Sequence, residues 1–235
     1  MLKRGEDIIG RTLRATDGEI GKVHDLYFDD ERWTVRYLVA ATGGWLRGRD
    51  VLISPASLDV LQESTDEVPA KLTRKQVEGS PGVETDKPVS RQYEASLAEH
   101  FGYSCYWMGP HLWGPGAIPI AGAATAIRAP ATQHSVTRKI EAGELGDSHL
   151  RSCTEVNGYR IDATDGSIGH VVDFLIDPES WEIRQMLIDT RDWLPGKHVV
   201  VAPRSIRRVD WPSHAVALDI SRADIKERPD YRDRA

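Results

Sequence analysis

The sequence predicts a mainly β protein built from two tandem small β-barrels, each with a short C-terminal helix, joined by a linker that contains one helix. Three observations predict this fold class: an internal repeat, short β-type runs separated by turn residues, and a single helical pattern between the repeats. The predicted bounds are 1–81 for the first module, 82–156 for the linker with its helix near 90–101, and 157–235 for the second module.

The repeat has an offset of 148 positions. The segment Ala15-Thr16-Asp17-Gly18 recurs as Ala163-Thr164-Asp165-Gly166, and the match runs without a gap from 10–81 to 158–229. Roughly 23 of about 72 aligned positions are identical, more than chance explains. A unit of this length is a small domain rather than one turn of a solenoid.

Turn residues divide each copy into short strands. In the first module, β-type runs separated by Asp-Gly, acidic and Gly-rich turns predict strands over 21–28, 33–41, 51–53, 58–61 and 68–72. A helix over 73–78 follows, with Thr73 as N-cap, and Ser221 caps its counterpart in the second module. Short strands with one small terminal helix favour a small barrel.

The second strand of each hairpin is apolar on both faces. This holds for 35–40 in the first module and for 183–188 in the second. One face fills the barrel, so the other must pack on the second module, the linker or another chain. Counting back from each hairpin loop places Asp25 opposite Arg36 and Asp173 opposite Arg184, which predicts two cross-strand ion pairs.

The ordered pattern of the two copies resembles a known family. Each copy contains G-x-x-[IL]-x-A-T-D-G-x-I-G-x-V-x-D, then a hairpin, then W-L-x-G-x-x-V. This pattern resembles the PRC-barrel domain, which takes its name from the cytoplasmic domain of the photosynthetic reaction centre H subunit. The chain looks like a tandem bacterial member. The resemblance implies a six-stranded barrel in each module and a scaffold or assembly role without a shared enzymatic site.

The linker begins as an amphipathic helix and continues as an aromatic segment. Ser90 and Gly102 are the predicted caps of the helix. The segment that follows is too hydrophobic for a solvated linker. It covers the barrels of its own chain or of a symmetry mate, docks another protein, or contacts a membrane surface. No nearby cluster of Lys or Arg supports the membrane contact. Its candidate interface residues are Tyr103, Tyr106, Trp107 and Trp113.

Trp45 and Trp193 occupy corresponding positions and are also interface candidates. Each indole either plugs the end of its own barrel or contacts the other module or another chain. The Trp-Leu motif to which each belongs lies just before the most β-branched strand of its module.

Composition and motifs argue against several function classes. The net charge of −6 is spread evenly, so nucleic-acid binding is not expected. No apolar run reaches the roughly 20 residues of a membrane span. The chain opens without a signal peptide, and two cysteines without metal spacing indicate a cytoplasmic protein with free thiols. Eight scattered histidines and the absence of nucleotide-binding or hydrolase motifs predict no catalytic, cofactor or metal site.

The expected function is therefore a non-catalytic protein–protein interaction or assembly role. The surplus of apolar surface predicts a homodimer with the linker aromatics at its interface, or alternatively an intramolecular clasp in a monomer. A further protein partner is expected but not identified. The alternative function is small-molecule or ion binding in a cleft between the two modules.

Overall fold

A computed structural model describes residues 1–46, 48–61, 65–82, 89–120, 150–190 and 197–232, with the side chain of Trp45 left out. The first module contains β1 (Lys3–Arg4), β2 (Thr12–Ala15), β3 (Gly18–Asp29), β4 (Thr34–Ala41), β5 (Asp50–Ile53), β6 (Glu67–Pro69) and α1 (Arg74–Glu78). The linker contributes α2 (Arg91–Phe101).

The second module repeats this order. It contains β7 (Leu150–Ser152), α3 (Cys153–Val156), β8 (Arg160–Ala163), β9 (Gly166–Ile176), β10 (Ile183–Asp189), β11 (His198–Val201), β12 (Ile206–Asp210), β13 (Ala215–Leu218) and α4 (Arg222–Glu227). Short 3-10 helices occupy Gly43–Leu46, Pro55–Ser57 and Pro203–Ser205. The mainly β fold class predicted from the sequence is confirmed.

The strands form two sheets with the same internal order. One sheet runs β5-β4-β3-β2-β6, and the other runs β11-β10-β9-β8-β13-β12. In the first sheet β2 pairs in parallel with β6, and in the second sheet β8 pairs in parallel with β13. In both cases the partner strand comes from near the end of its module. The strand predicted over 58–61 is reduced in the first module to a single bridge between Leu58 and Ala70, whereas its counterpart β12 is a full strand.

The predicted helix caps are all present. Thr73 and Ser221 each accept a hydrogen bond from the backbone of the first turn and complete a capping box. Ser90 caps α2, and Gly102 ends it in the left-handed conformation that glycine adopts without strain.

The first strand of each copy lies on the sheet of the other copy. β1 pairs with β9, placing Lys3 opposite Ile176, and β7 pairs with β3, placing Arg151 opposite Phe28. The two pairings match residue for residue at the offset of 148. The first strand of each copy, β1 or β7, is called its arm. The arm of the second copy, β7, thus lies within the range 82–156 that the sequence analysis assigned to the linker. Its exchange leaves each sheet dependent on the other half of the chain.

The two modules also meet through their hairpins. The amide of Val35 donates to the carbonyl of Trp181 over 2.9 Å, and the amide of Ile183 donates to the carbonyl of Trp33 over 2.7 Å. Both tryptophans have positive φ angles, 48° and 60°, which is rare for a bulky residue. The repeated tryptophan therefore marks the junction, where the strained backbone turns each carbonyl toward the other module.

One continuous core fills both modules. It joins Leu38 and Ile53 of the first module to Ile183 and Val201 of the second. The other face of β4 forms a separate cluster, in which Tyr37 and Val39 pack with Leu97 of α2. The linker therefore covers the second apolar face of β4, one of the three coverings that the sequence left open.

Candidate functional site

The segment that follows α2, residues 103–116, lies across the first module and is called the clasp here. Tyr103, Tyr106 and Trp113 are buried in it, with 5–8% of each residue exposed. Trp113 donates its indole N–H to the carbonyl of Ser180 over 2.8 Å, so the clasp also contacts the second module. An aromatic segment of this kind contributes a large buried apolar area at low entropic cost.

Beneath the clasp lies a fully buried ion pair. Nη2 of Arg36 is 3.0 Å from Oδ2 of Asp29, and Nη1 donates to the carbonyl of Leu112. The guanidinium lies over the ring of Tyr106, 3.8 Å from its centroid, and 5.0 Å from that of Trp113. Burial lowers the pKa of Arg36, and the carboxylate of Asp29 opposes that shift. An arginine remains charged in such a site, so the clasp holds a cation out of water by contacts from one chain.

A second buried charged group lies on α2. Glu94 is fully buried and accepts hydrogen bonds from the hydroxyls of Tyr106, over 2.8 Å, and Tyr37, over 3.3 Å. Burial raises the pKa of Glu94 to about 7, although the neighbouring Arg91 and the two hydroxyls lower it. One sequence signal could have found this residue: Glu94 shares a helix face with Leu97 and Ala98, so a carboxylate lies in the apolar stripe.

A pocket of about 180 Å³ lies between β4, α2 and the clasp. Its walls include Ala56, Ala98 and Tyr103, and Ile118 and Ile120 lie at its rim, where about half of each residue is exposed. All of its lining residues belong to the first module or the linker. The pocket is therefore not the cleft between the modules that the sequence suggested as an alternative site.

In the described part of the chain, the corresponding surface of the second module is less covered. Several buried positions of the first module have counterparts 148 residues later that are half-buried or exposed, and six of these counterparts are called the open face here. The buried set is Arg36, Tyr37, Leu52, Ser54, Ala56 and Ser57; the open face is Arg184, Gln185, Val200, Ala202, Arg204 and Ser205. The Arg184 side chain is 47% exposed and pairs with Asp177 and Glu182, as a solvated ion pair does.

The expected cross-strand ion pairs are wrong in their partners. Arg36 pairs with Asp29, seven residues earlier, because bulges in the β3–β4 ladder place Asp25 opposite Val39. Arg184 pairs with Asp177 in the same way.

Asp25 and Asp173 instead hold the exchanged arms. Asp25 accepts hydrogen bonds from the hydroxyl of Ser152 and from the amide of Thr154, the latter over 3.0 Å. Asp173 accepts from Nε of Arg4 over 3.0 Å and from the amide of Glu6 over 3.3 Å. Each carboxylate thus fixes the arm of the other copy, a contact that no pattern within one copy could reveal.

The aromatic interface candidates have different positions. Tyr103, Tyr106 and Trp113 are buried by their own chain, which leaves them no surface for a second chain. Trp107 is half-buried and packs edge-on against Tyr106. The indole of Trp45 and the whole of Trp193 lie outside the described residues.

The titratable groups of the site are held in structural contacts. Burial raises the pKa of Cys105 to about 11 and that of Cys153 well above its usual value, so neither thiol is activated. Among the described residues, no group of three or more His, Cys, Asp or Glu side chains could hold a metal ion. None of the helices in this part of the chain has the length and hydrophobicity that a membrane crossing requires.

The sheets, the short capped helices and the exchanged arms define a mainly β protein of small barrel-type modules. Comparison with family models supplies the family: the model of the PRC-barrel domain matches residues 2–74. The match lies within the first module, and for that module it confirms the resemblance drawn from the sequence motifs. A comparison with curated proteins finds no match to the chain.

Proposed function

We propose that the chain is a non-catalytic protein-interaction module whose open face binds a segment of a partner protein. One observation carries this proposal. Six positions that are buried in the first module, where α2 and the clasp cover this face, have counterparts in the second module that are half-buried or exposed. The first module thus provides, within one chain, an example of what this barrel surface binds.

The contacts of the clasp indicate the chemistry of the partner. Arg36 donates to a backbone carbonyl of the clasp and stacks on its rings, and Arg184 holds the same position beside its own aspartate. Arg204 adds a second exposed positive charge. By analogy with the clasp, the partner is an extended segment whose aromatic rings and backbone carbonyls contact Arg184 and Arg204.

The homodimer predicted from the linker aromatics is not part of this proposal. Three of the four aromatic side chains are buried within the chain, so the intramolecular clasp accounts for the apolar surplus. Two free thiols, Cys105 and Cys153, fit a reducing compartment such as the cytoplasm. The raised pKa values of both thiols and the enclosure of Glu94 support a non-catalytic role.

Affinity capture followed by calorimetry tests the proposal. The intact chain is compared with Arg184→Glu/Arg204→Glu, which reverses the charge of the open face, and with Lys71→Glu/Lys75→Glu, which makes the same charge change on the first module. We expect the captured protein to bind the open-face variant at least about tenfold more weakly and the control variant as the wild type. Binding that is equal in all three chains, or no specific capture, would contradict the proposal.

A further inference from the structure

The clasp contacts the first module through two tyrosines that lie three positions apart. The Cζ atom of Arg36 lies 3.8 Å from the ring centroid of Tyr106, so the guanidinium stacks on this ring. The hydroxyl of Tyr103 shares a hydrogen bond with the hydroxyl of Ser57. One arginine and one serine of the barrel surface therefore receive the two tyrosines.

The second module has the same two residue types at the corresponding positions, Arg184 and Ser205. Asp177 holds Arg184 over 3.2 Å, and the corresponding ion pair of the first module measures 3.0 Å. Ser205 ends a 3-10 helix, and its carbonyl accepts from the amide of Asp219 over 2.9 Å, as the corresponding serine carbonyl accepts in the first module over 2.7 Å. Both clasp-binding groups are thus kept, and each is held by the same contacts.

Two positions that face α2 have changed. Tyr37 donates to the buried carboxylate of α2, and Ala56 packs in one cluster with Ala98 of that helix. Their counterparts are Gln185 and Arg204. A helix packed as α2 is would bury the charge of Arg204, which is costly without a paired group. The open face therefore suits a segment like the clasp, without the helix that precedes it in the first module.

We infer that the open face binds a partner segment in which a tyrosine is followed three positions later by a second aromatic residue. The tyrosine hydroxyl bonds to Ser205, and the second ring stacks on Arg184 while that guanidinium stays paired through its edge. The spacing is that of Tyr103 and Tyr106 in the clasp. This inference rests on the proposed function and specifies the sequence that the partner presents.

Fluorescence anisotropy of the full chain with a labelled peptide of residues 102–109 tests the inference. The peptide carries both tyrosines at their native spacing and the change Cys105→Ser, which prevents disulfide formation. We expect saturable binding with a Kd below about 1 mM. Tyr103→Phe in the peptide removes the hydroxyl and should weaken binding about fivefold. A permuted peptide with adjacent tyrosines has the same composition and should not bind; equal binding of it, or no saturable binding of the native-order peptide, would overturn the inference.

Two variants of the chain and one control locate the site. Ser205→Ala and Arg184→Met should each weaken peptide binding about fivefold, whereas Ser213→Ala, in the turn between β12 and β13, should leave it unchanged. The same affinity in all of these chains would place the peptide elsewhere and contradict the assignment. Partner binding that is lost in Arg184→Glu/Arg204→Glu, without any binding of the peptide, would overturn this inference and leave the proposed function standing.

Discussion

Thr34 and Glu182 face each other in an antiparallel bridge at the junction of the two modules, and each holds the same position in its own repeat. Around them the contacts occur twice, with the donor and acceptor modules exchanged. The arms repeat this arrangement farther out, because β1 lies on the second sheet and β7 on the first. The chain therefore has the contacts of an arm-exchanged dimer joined into one polypeptide. Among the described residues, the clasp covers this face of the first module and not the corresponding face of the second.

The arm contacts predict that substitutions act across the molecule. Asp25→Ala removes the acceptor for the amide of Thr154, and Asp173→Ala removes the acceptor for the amide of Glu6. Hydrogen–deuterium exchange should be faster at Thr154 in the first variant and faster at Glu6 in the second. Each variant should also lose about 1–3 kcal/mol of unfolding free energy, because partly buried donors lose their acceptor. Exchange that increases only next to the substituted residue would contradict the arm exchange.

The two corresponding arginines should differ greatly in their contribution to stability. Arg36→Met leaves Asp29 buried without its cation, and breaking a buried pair from one side costs about 3–5 kcal/mol. Arg184→Met removes a half-exposed ion pair worth at most about 1 kcal/mol. Urea unfolding of both variants measures the difference. Equal losses would mean that the clasp does not cover Arg36 in solution.

Glu94 should make stability depend on pH. Burial raises the pKa of Glu94 from 4.5 to about 7 in the folded chain, so the folded state binds the proton more tightly than the unfolded state. The free energy of unfolding therefore falls as the pH rises through this window. Glu94→Gln lacks this titration and can still accept from Tyr106. Relative to the wild type, the variant should gain about 3 kcal/mol between the two pKa values, measured by unfolding at several pH values. A difference that is constant with pH would contradict the raised pKa.

The burial of the clasp predicts a monomer. Light scattering of the intact chain should give the mass of one polypeptide, 26.2 kDa. Changing Tyr106, Trp107 and Trp113 to Ser should lower the unfolding free energy, because two of these side chains belong to the main core and the third packs against it. A stable dimer that this variant dissociates would instead support the homodimer expected from the sequence.

The sequence predicted those features that depend on local order along the chain. The helix caps at Thr73, Ser90 and Ser221 follow from side chains near their own helices, and all three are present. The double-faced β4 was also predictable, because alternation along one strand shows which residues need cover.

The contacts between distant segments could not be predicted from local sequence patterns. Asp25 was assigned to Arg36, its neighbour across the hairpin, whereas it binds an arm that begins at Leu150. Bulges shift the register without a sequence signal. Arg36 is covered and Arg184 is not because the linker packs on the first module. The two arginines occupy equivalent positions in the repeat, so the repeat alone does not predict this difference.

Photo-cross-linking at one matched pair of positions tests the central claim most directly. Tyr37 is buried under α2, and its counterpart Gln185 lies on the open face. A p-azidophenylalanine is placed at either position in living cells and irradiated. The account predicts that position 185 gives a discrete adduct with another protein, whereas position 37 gives only cross-links within the chain. No intermolecular adduct at position 185 in a folded chain, or the same adduct from both positions, would contradict it.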